Sequence, residues 1–370
     1  MKNILYMTGA VINAGDFLIE KRMIALLTKF MPDIKITKTC RVGISYDDRL
    51  DYLNSFDAII FAGGPIYQNT IYPKAIPFVS RQNLERLKTP IFFLGGGCRG
   101  REEDIYSPVQ SISEDTFVFF QKGMSLGIPL GCRDVLTYRF LKHQGFSDLL
   151  MTGCPAWYSL DHVHNLEVNR HGNAKMKICV SEPARMSNLP MLEKLLKRLR
   201  KEYSAAEITL VIHREEKRGI VANINDLCEG GGIRTVSIAG SADGFSIYDD
   251  CDLHIGFRVH AHIYNLSIRN VSFLINEDIR GFGVNHSLGL ENINIMQSYG
   301  FQKKLFGNFY LGRNLKANED LAINHILDGI ESAEMCNYQN FRDAYTKMWK
   351  TFDVMKSHIN HIEETMNNCS

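Results

Sequence analysis

The chain has 370 residues, of which 45% are hydrophobic and 22% charged, and its formal net charge is +1 at pH 7. That length exceeds what one hydrophobic core normally supports and predicts two domains. A charge so near zero gives no reason to expect nucleic acid or an anionic membrane as a partner. Nine cysteines are scattered without a Cys-x-x-Cys pair, which indicates reduced thiols and argues against a disulfide framework or a zinc site.

The residues after Met1 lack the basic start and long apolar core of a signal peptide, and no apolar run approaches the length of a membrane span. We therefore expect a cytoplasmic protein without a transmembrane segment, and peripheral contact with the inner membrane stays open. One predicted helix carries basic residues that could face a membrane, although such a cluster is more often a solvated helix face. They are Lys194, Lys197, Arg198, Arg200 and Lys201.

In the first half of the chain, short apolar runs alternate with amphipathic segments, which predicts an α/β domain with a parallel sheet. Asp16 stands where the first helix should be capped. The run after strand 90–94 contains G-x-G-x-x-G, but the next ten residues lack a helical period, so we prefer a tight cleft loop to a nicotinamide site. The predicted strands are 3–7, 57–62, 90–94, 128–132 and 149–152, and the predicted helices are 17–30, 74–87, 113–126 and 134–143.

The pattern stops in the polar, aperiodic segment 155–175 and then resumes, so we expect a domain boundary there. The predicted domains are residues 1–158, residues 159–335 and a C-terminal amphipathic helix within 336–370 that packs on the body of the protein. The fold prediction is two Rossmann-like, doubly wound α/β domains facing a cleft. In the second half, the predicted strands are 176–180, 207–213, 234–238, 253–257 and 271–275, and the predicted helices are 190–203, 220–228, 259–266 and 340–362.

Arginines follow several of the predicted strands. Arg133, Arg214 and Arg258 fall at or just beyond strand ends, and Arg280 lies in the predicted loop after strand 271–275. The carboxyl ends of parallel strands are where such folds bind ligands, and the planar guanidinium fork matches carboxylate and phosphate. Singly, each arginine is expected to be solvated; as a set, they favour a small polyanionic ligand.

Three histidines lie close to Arg258. His260 falls in the first turn of the helix, where the helix dipole disfavours the imidazolium and a bound anion would restore it, as suits a general acid. His254 lies within an apolar strand and is expected to be a hydrogen-bonded core residue. His262 lies two residues beyond His260 on the helix and faces away from it, so a metal site on the two is improbable, and no metal is expected.

Four motifs, in this order, resemble those of the polysaccharide pyruvyl transferases: NAGDFLI at 13–19, AGGPIY at 62–67, GCRDVLTYRFL at 131–141 and GFRVHAHIYNL at 256–266. The resemblance covers most of the chain. It implies a two-domain architecture like that of B-type glycosyltransferases, with the active site in the interdomain cleft. It also implies transfer of a pyruvyl group from phosphoenolpyruvate to two hydroxyls of a saccharide in a surface polysaccharide or exopolysaccharide, which forms a cyclic ketal and releases phosphate.

The resemblance further implies that Arg133, Arg258 and His260 contact phosphoenolpyruvate and that Asp16 lies on the acceptor side. Arg280 stands where family members tend to have a lysine. Our hypothesis is that His260 is the general acid, that the three arginines bind the donor anion, and that Asp16 orients or deprotonates the acceptor. No cofactor beyond the donor substrate is expected. Further positions expected to line the cleft are Asn13, Gly15, Gly64, Gly96 and Arg214.

Two alternatives stay open at this point. A B-type glycosyltransferase that uses a nucleotide sugar would need the same cleft and arginines for its diphosphate. A non-catalytic glycan-binding module of the same fold would need neither Arg258 nor His260. The sequence leaves undetermined the acceptor sugar, the positions and stereochemistry of the ketal, a lipid linkage of the acceptor, and the oligomeric state.

Overall fold

The computed structural model describes residues 1–72, 76, 78–98, 111–169, 171–172, 174–214, 232–294, 303–304, 310–311 and 319–368. The predicted helix 220–228 and the end of the glycine run at 99–100, with the segment that follows it, lie outside the described residues.

The first half forms a parallel sheet with strand order β2-β1-β3-β4, and a parallel pair, β5-β6, adjoins it through a bridge between Gly96 and Cys132. Its strands are β1 (Lys2–Thr8), β2 (Ile34–Cys40), β3 (Ala58–Ala62), β4 (Ile91–Leu94), β5 (Leu130–Cys132) and β6 (Leu149–Met151). Its helices are α1 (Ala14–Phe30), α2 (Leu50–Leu53), α3 (Arg81–Arg86), α4 (Glu114–Met124) and α5 (Val135–His143).

In this half, one strand was missed and two local predictions are wrong. Strand β2 was not predicted, because it is a half-buried edge strand in which lysines alternate with isoleucines and threonines. The predicted helix 74–87 shortens to Arg81–Arg86, since the preceding apolar residues Phe78 and Val79 are buried without being helical. The cap of α1 is Asn13, whose side chain accepts a hydrogen bond from the Gly15 backbone N–H at 3.3 Å, so Asp16 belongs to the first turn.

The second half forms a six-stranded parallel sheet with strand order β12-β11-β10-β7-β8-β9. Its strands are β7 (Lys177–Ser181), β8 (Glu207–Ile212), β9 (Arg234–Ser237), β10 (Leu253–Gly256), β11 (Val271–Asn276) and β12 (Ile293–Asn294). Its helices include α6 (Leu189–Glu202), α7 (Val259–Ser267) and α8 (Ile279–Leu288), and a short antiparallel pair follows, β13 (Lys303–Lys304) with β14 (Tyr310–Leu311).

Helix α8 was not predicted, since two glycines weaken its helical pattern. The Cβ that a side chain would add at Gly283 would lie 2.8 Å from Cγ of Asp134, so glycine is needed where α8 packs on α5. Consequently Arg280 lies in the first turn of a helix rather than in a loop.

The chain ends in two helices, α9 (Glu319–Met335), which was also missed, and the long α10 (Gln339–Asn368). Helix α10 contacts both halves of the molecule. Its Phe352 ring packs 5.9 Å from Phe30 of α1, and its Tyr345 hydroxyl donates a hydrogen bond to the Asn270 carbonyl at 3.2 Å. The two sheets therefore share buried apolar contacts around α1 and α10, and the exact domain limits stay a prediction. None of the described helices combines the length and apolar character needed to cross a bilayer.

Candidate active site

The carboxyl ends of strands from both sheets border one cleft of about 380 Å³. The first half lines it with residues that follow β1, β2 and β3, and the second half with residues that follow β7, β8, β10 and β11. A smaller chamber of about 30 Å³ adjoins it and is lined by His213, His260, Glu277 and Asp278, among others. The residues that line the cleft are Gly9, Asn13, Asp16, Arg41, Val42, Pro65, Gln68, Ile76, Ala184, Arg214, Arg258 and Arg280.

Arg258 lies between β10 and α7 and is oriented by the end of β7. Its backbone N–H donates to Ser181 Oγ at 3.1 Å, and its Nη2 donates to the carboxylate of Glu182. Glu182 is 1% exposed, and its Oε1 also accepts the backbone N–H of His213 at 3.0 Å. A buried carboxylate with two donors therefore fixes the direction of the guanidinium before any ligand binds.

Arg280 is held by the residue that caps its own helix. Asp278 accepts the Arg280 backbone N–H at 3.0 Å, the Nε at 3.0 Å through Oδ1 and the Nη2 at 2.7 Å through Oδ2. Burial alone would raise the pKa of Asp278, but the hydrogen bonds and charge of Arg280 lower it, so this carboxylate is ionised. Both residues of this pair line the chamber, and Arg280 also lines the cleft.

Arg133 follows β5, is buried, and lines neither the cleft nor the chamber, although its charge acts on His260. Its Nε donates to Asp134 at 2.9 Å, and Asp134 caps α5 by accepting the Thr137 backbone N–H at 2.8 Å. The guanidinium lies over Gly97, where an added Cβ would come within 2.2 Å of its Cζ. All three arginines that the sequence assigned to the donor thus have a carboxylate partner of their own.

His260 lies in the first turn of α7 and packs on the first turn of α1 in the other half of the molecule. A Cβ at Gly15 would lie 2.0 Å from its Nδ1, so only glycine allows this approach. Burial lowers the pKa of His260 to about 3, and the charges of Arg280, Arg133 and Arg258 contribute in that order. The imidazole is therefore neutral at pH 7. Burial and the arginines lower its pKa, whereas the sequence analysis had named the helix dipole as the cause.

The neighbouring histidines belong to the core, as expected for His254. The Ser272 hydroxyl lies 2.7 Å from Nδ1 of both His254 and His262. The second nitrogen of His254 lies 3.1 Å from Ser181 Oγ, and that of His262 lies 2.8 Å from Asn285 Oδ1. Both rings are buried and hydrogen-bonded at both nitrogens, so they have no atom left for a substrate.

The remaining predicted positions divide into two groups. Asp16 and Asn13 line the cleft together, with Asn13 Nδ2 donating to Asp16 at 3.2 Å, and Arg214 lines it from the end of β8. Gly64 and Gly96 lie behind the residues that line the cleft. Gly64 lies against a buried arginine, and the Gly96 carbonyl accepts the Arg133 backbone N–H at 2.7 Å.

Two site residues were missed by sequence reasoning, Arg41 and Glu182. Arg41 directly follows β2, is 5% exposed and lines the cleft, while its guanidinium donates to the Ala62 and Gly63 carbonyls at 3.1 and 3.2 Å. It was missed because β2 was missed. Glu182 follows a strand that was predicted, and a charged residue directly after a buried strand is the signal that could have found it.

The two parallel sheets around one cleft, with a helix returning to the first half, define a GT-B-like α/β fold. A UDP-bound structure of MnaA from S. aureus is similar over 93% of this chain and 91% of its own, with 13% sequence identity and a TM-score of 0.52. UDP-GlcNAc 2-epimerase from Neisseria meningitidis bound to UDP-GlcNAc is similar over 99% of this chain and 100% of its own, with 12% identity and a TM-score of 0.52. At such identities the likeness shows the fold alone, and it confirms the predicted architecture.

A comparison with curated proteins gave no match. The model of the polysaccharide pyruvyl transferase family matches residues 13–264. The chain belongs to this family and is a transferase, as the four motifs had indicated. The matched segment runs from the Asn13 cap of α1 to Tyr264 of α7 and so contains Asp16, Arg133, Arg258 and His260.

Proposed function

We propose that this protein transfers the pyruvyl group of phosphoenolpyruvate to two hydroxyls of a saccharide, forming a cyclic ketal in a surface polysaccharide or exopolysaccharide. One observation carries the proposal beyond the family. After burial, the charges of Arg280, Arg133 and Arg258 lower the pKa of the His260 imidazole most, and these are also the arginines assigned to the donor. The proposed proton donor, His260, thus lies beside the proposed site for the donor anion.

Phosphoenolpyruvate carries a carboxylate and a phosphate on the same carbon atom, and both match the guanidinium fork. Arg258 and Arg280 line the cleft and the chamber, and the buried Arg133 adds positive charge that acts on His260. Glu182, Asp278 and Asp134 balance these charges in the free protein. The donor therefore brings uncompensated negative charge to the site when it binds.

That added negative charge stabilises a protonated imidazole, so we expect the pKa of His260 to rise from about 3 on donor binding. The imidazolium then gives its proton to the methylene carbon of the donor, and a C–H bond forms. An acceptor hydroxyl attacks the resulting cation, the C–O bond to phosphate breaks, and the second hydroxyl closes the ketal. One hydroxyl proton replaces the proton lost by His260, and the other leaves with phosphate.

Asp16 is the carboxylate that lines the first-half side of the cleft, next to Asn13. We assign to it the orientation of the acceptor and the removal of one hydroxyl proton, which it then passes to the departing phosphate. Its place in the first turn of α1 puts it near Gly15, the residue on which His260 packs. Donor and acceptor groups therefore meet where α1 and α7 approach each other.

A second candidate is a glycosyltransferase that uses a nucleotide sugar. It is favoured by the arginines of the cleft, which match a diphosphate as well as they match the donor anion. Thermal unfolding separates the two candidates, because a ligand that binds the native state raises the unfolding temperature by mass action. We expect phosphoenolpyruvate to raise it more than UDP or UDP-sugars do, and the reverse order would favour the glycosyltransferase.

The reaction itself is tested by a phosphate-release screen with phosphoenolpyruvate and a panel of saccharides, with NMR detection of the ketal methyl group. We expect phosphate and a new methyl signal to appear in equal amounts, and only when donor and acceptor are both present. Release of phosphate without an acceptor would indicate hydrolysis. No release with any acceptor, while the donor binds, would leave a glycan-binding role for the fold.

A further inference from the structure

A second histidine, His213, directly follows β8 and lines the small chamber together with His260. Its backbone is held on both sides. The His213 N–H donates to Glu182 Oε1 at 3.0 Å, and the His213 carbonyl accepts the Ala14 N–H from α1 at 3.4 Å. The residue therefore has a fixed position where the two halves of the molecule meet, although it takes no part in the proton transfers proposed for His260 and Asp16.

One ring nitrogen of His213 is engaged by a buried tyrosine. Its Nε2 lies 2.7 Å from the Tyr248 hydroxyl oxygen, and the Phe245 ring packs edge-on against the imidazole with the ring centroids 5.2 Å apart. Within the part of the chain that the structure describes, the Tyr248 hydroxyl has no other hydrogen-bond partner. The orientation of the His213 ring is thus set by packing and by this single hydrogen bond.

That hydrogen bond also selects the tautomer of His213. If Nε2 carried the proton and donated it to Tyr248, the hydroxyl proton would be buried without an acceptor, which is a costly arrangement. If the hydroxyl donates to Nε2 instead, both groups are satisfied and the ring proton lies on Nδ1.

Both groups are neutral at pH 7. Burial raises the pKa of Tyr248, and burial lowers the pKa of His213, which the positive charge of Arg258 lowers further. No described residue hydrogen-bonds to His213 Nδ1, so a partner can reach this nitrogen from the chamber that the residue lines.

We propose that the Nδ1–H group of His213 donates a hydrogen bond to an oxygen of the donor anion in the chamber, and that Tyr248 is a positioning residue that fixes the tautomer. This inference rests on the proposed function, since it takes phosphoenolpyruvate to be the donor. The accepting oxygen belongs to the phosphate or to the carboxylate, because an N–H group recognises both in the same way.

A neutral hydrogen-bond donor suits this place better than a further cation would. The charges of Arg280, Arg133 and Arg258 already lower the pKa of His260, and the proposed reaction requires a protonated His260. Another positive charge would oppose that protonation, whereas an N–H group binds an anionic oxygen without adding net charge. His213 can therefore strengthen donor binding and leave the proton on His260.

The tautomer is measured in the free protein by two-dimensional NMR of histidine labelled with ¹⁵N. The His213 signals are identified by their loss in His213→Met. At pH 7 we expect a protonated Nδ1 and an unprotonated Nε2 in wild type. In Tyr248→Phe, Nε2 has lost the hydroxyl that donates to it, so the form protonated at Nε2 should appear as well. A wild-type ring protonated at Nε2 would overturn the inference.

Donor affinity is measured by calorimetry with phosphoenolpyruvate, without an acceptor. His213→Met should weaken binding by at least about tenfold, because hydrogen bonds to charged groups are among the stronger ones. Tyr248→Phe keeps the imidazole and should weaken binding by about three- to tenfold. Adding Tyr248→Phe to His213→Met should cause no further loss of affinity, since Tyr248 acts through His213.

Tyr264→Phe is the matched control. It also removes one hydroxyl from the same aromatic cluster, in which the Tyr264 ring lies 6.2 Å from that of Tyr248, but this hydroxyl donates to Asp249 at 2.6 Å. The affinity for phosphoenolpyruvate should stay within about twofold of wild type. Thermal unfolding verifies that each variant is folded.

The outcomes separate this inference from the proposed function. If wild type binds phosphoenolpyruvate but forms no ketal with any saccharide, the proposed function fails, and the affinities of His213→Met and Tyr248→Phe still decide the inference. No binding of phosphoenolpyruvate to wild type would end both. Unchanged affinity in folded His213→Met or in Tyr248→Phe would overturn the inference alone, as would additive losses in the double variant. Should His213→Met fail to fold, the affinity of Tyr248→Phe and the wild-type tautomer decide.

Discussion

His260 and His262 are two residues apart on one helix, and the structure gives them opposite environments. His262 is 1% exposed, and a serine and an asparagine bind its two ring nitrogens. His260 lines the small chamber beside the cleft and is surrounded by three arginines. Burial lowers the pKa of both rings, to about 4 for His262 and about 3 for His260, and of the two rings only that of His260 lines the chamber beside the cleft.

A depressed pKa is common to both histidines, so the charged groups around each ring, and not the shift itself, are the ground on which we propose His260 as the catalytic one. A neutral His262 is satisfied by its protein partners and stabilises the fold. A neutral His260 is held among positive charges that a donor would neutralise. Substitutions at and around the two rings should therefore have opposite effects on activity and stability.

The largest effect on activity is expected from His260→Ala. Loss of the general acid should lower kcat for ketal formation by about 10²- to 10⁴-fold. Because the ring lies at the chamber surface, the unfolding temperature should stay close to that of wild type. Phosphate release and thermal unfolding on the same preparation measure both effects. A folded variant that forms ketal at the wild-type rate would remove His260 from the mechanism.

Gly15→Ala should reproduce much of this loss of activity, although the substitution removes no reactive side chain. Its new Cβ would lie 2.0 Å from His260 Nδ1, so the imidazole must move. A displacement of about 1 Å costs about 100-fold in rate. The intrinsic helix propensity of alanine exceeds that of glycine, so α1 should be retained, as circular dichroism can verify. Wild-type kcat in this variant would show that the ring position is unimportant.

Arg258→Lys should act mainly on the donor. The positive charge stays, but the fork that reaches Glu182 and the cleft is lost. We expect the KM for phosphoenolpyruvate to rise about tenfold, corresponding to about 1.4 kcal/mol, and the KM for the acceptor to change by less than about twofold. Steady-state kinetics with each substrate varied in turn measures this. A larger rise in the acceptor KM would place Arg258 on the wrong substrate.

The smallest effect on activity, and the largest on stability, is expected from His262→Ala. The change leaves Ser272 and Asn285 without a ring partner in the core and should lower the free energy of unfolding by about 2–4 kcal/mol. The activity of the folded fraction should stay within about threefold of wild type. Chemical denaturation and kcat per folded molecule give the two numbers. Lost activity at full stability would mean that the two histidines had been assigned the wrong way round.

Sequence patterns predicted those parts of the fold whose burial is uniform. Strands such as β3 and β10 are buried at every position, and the residues after β10 include Arg258 and His260, so this part of the site followed from periodicity and chemistry. Edge strand β2 lacks such uniform burial, because lysines alternate with its isoleucines and threonines. Because β2 was not predicted, Arg41, which lies at the same edge of the sheet, was missed as well.

The partners of the arginines could not be predicted, because they depend on three-dimensional register. Glu182 reaches Arg258 only because β7 and β10 are neighbours, with Ser181 opposite Gly256. Asp278 reaches Arg280 only because α8 begins there. The two glycines in α8 lower its helix propensity, so the sequence does not predict this helix. The packing of His260 on Gly15 joins the first and second halves of the chain, and no local pattern reports such a contact.

The central claim is that His260 is neutral in the free protein and gains a proton when the donor binds. Calorimetric titration with phosphoenolpyruvate in buffers of different ionisation enthalpy, slightly below neutral pH, measures the protons taken up on binding. Since the folded pKa of about 3 lies below that pH and the bound donor raises it, wild type should take up protons that His260→Gln does not. Equal uptake by the two proteins, with the donor bound to both, would contradict the account.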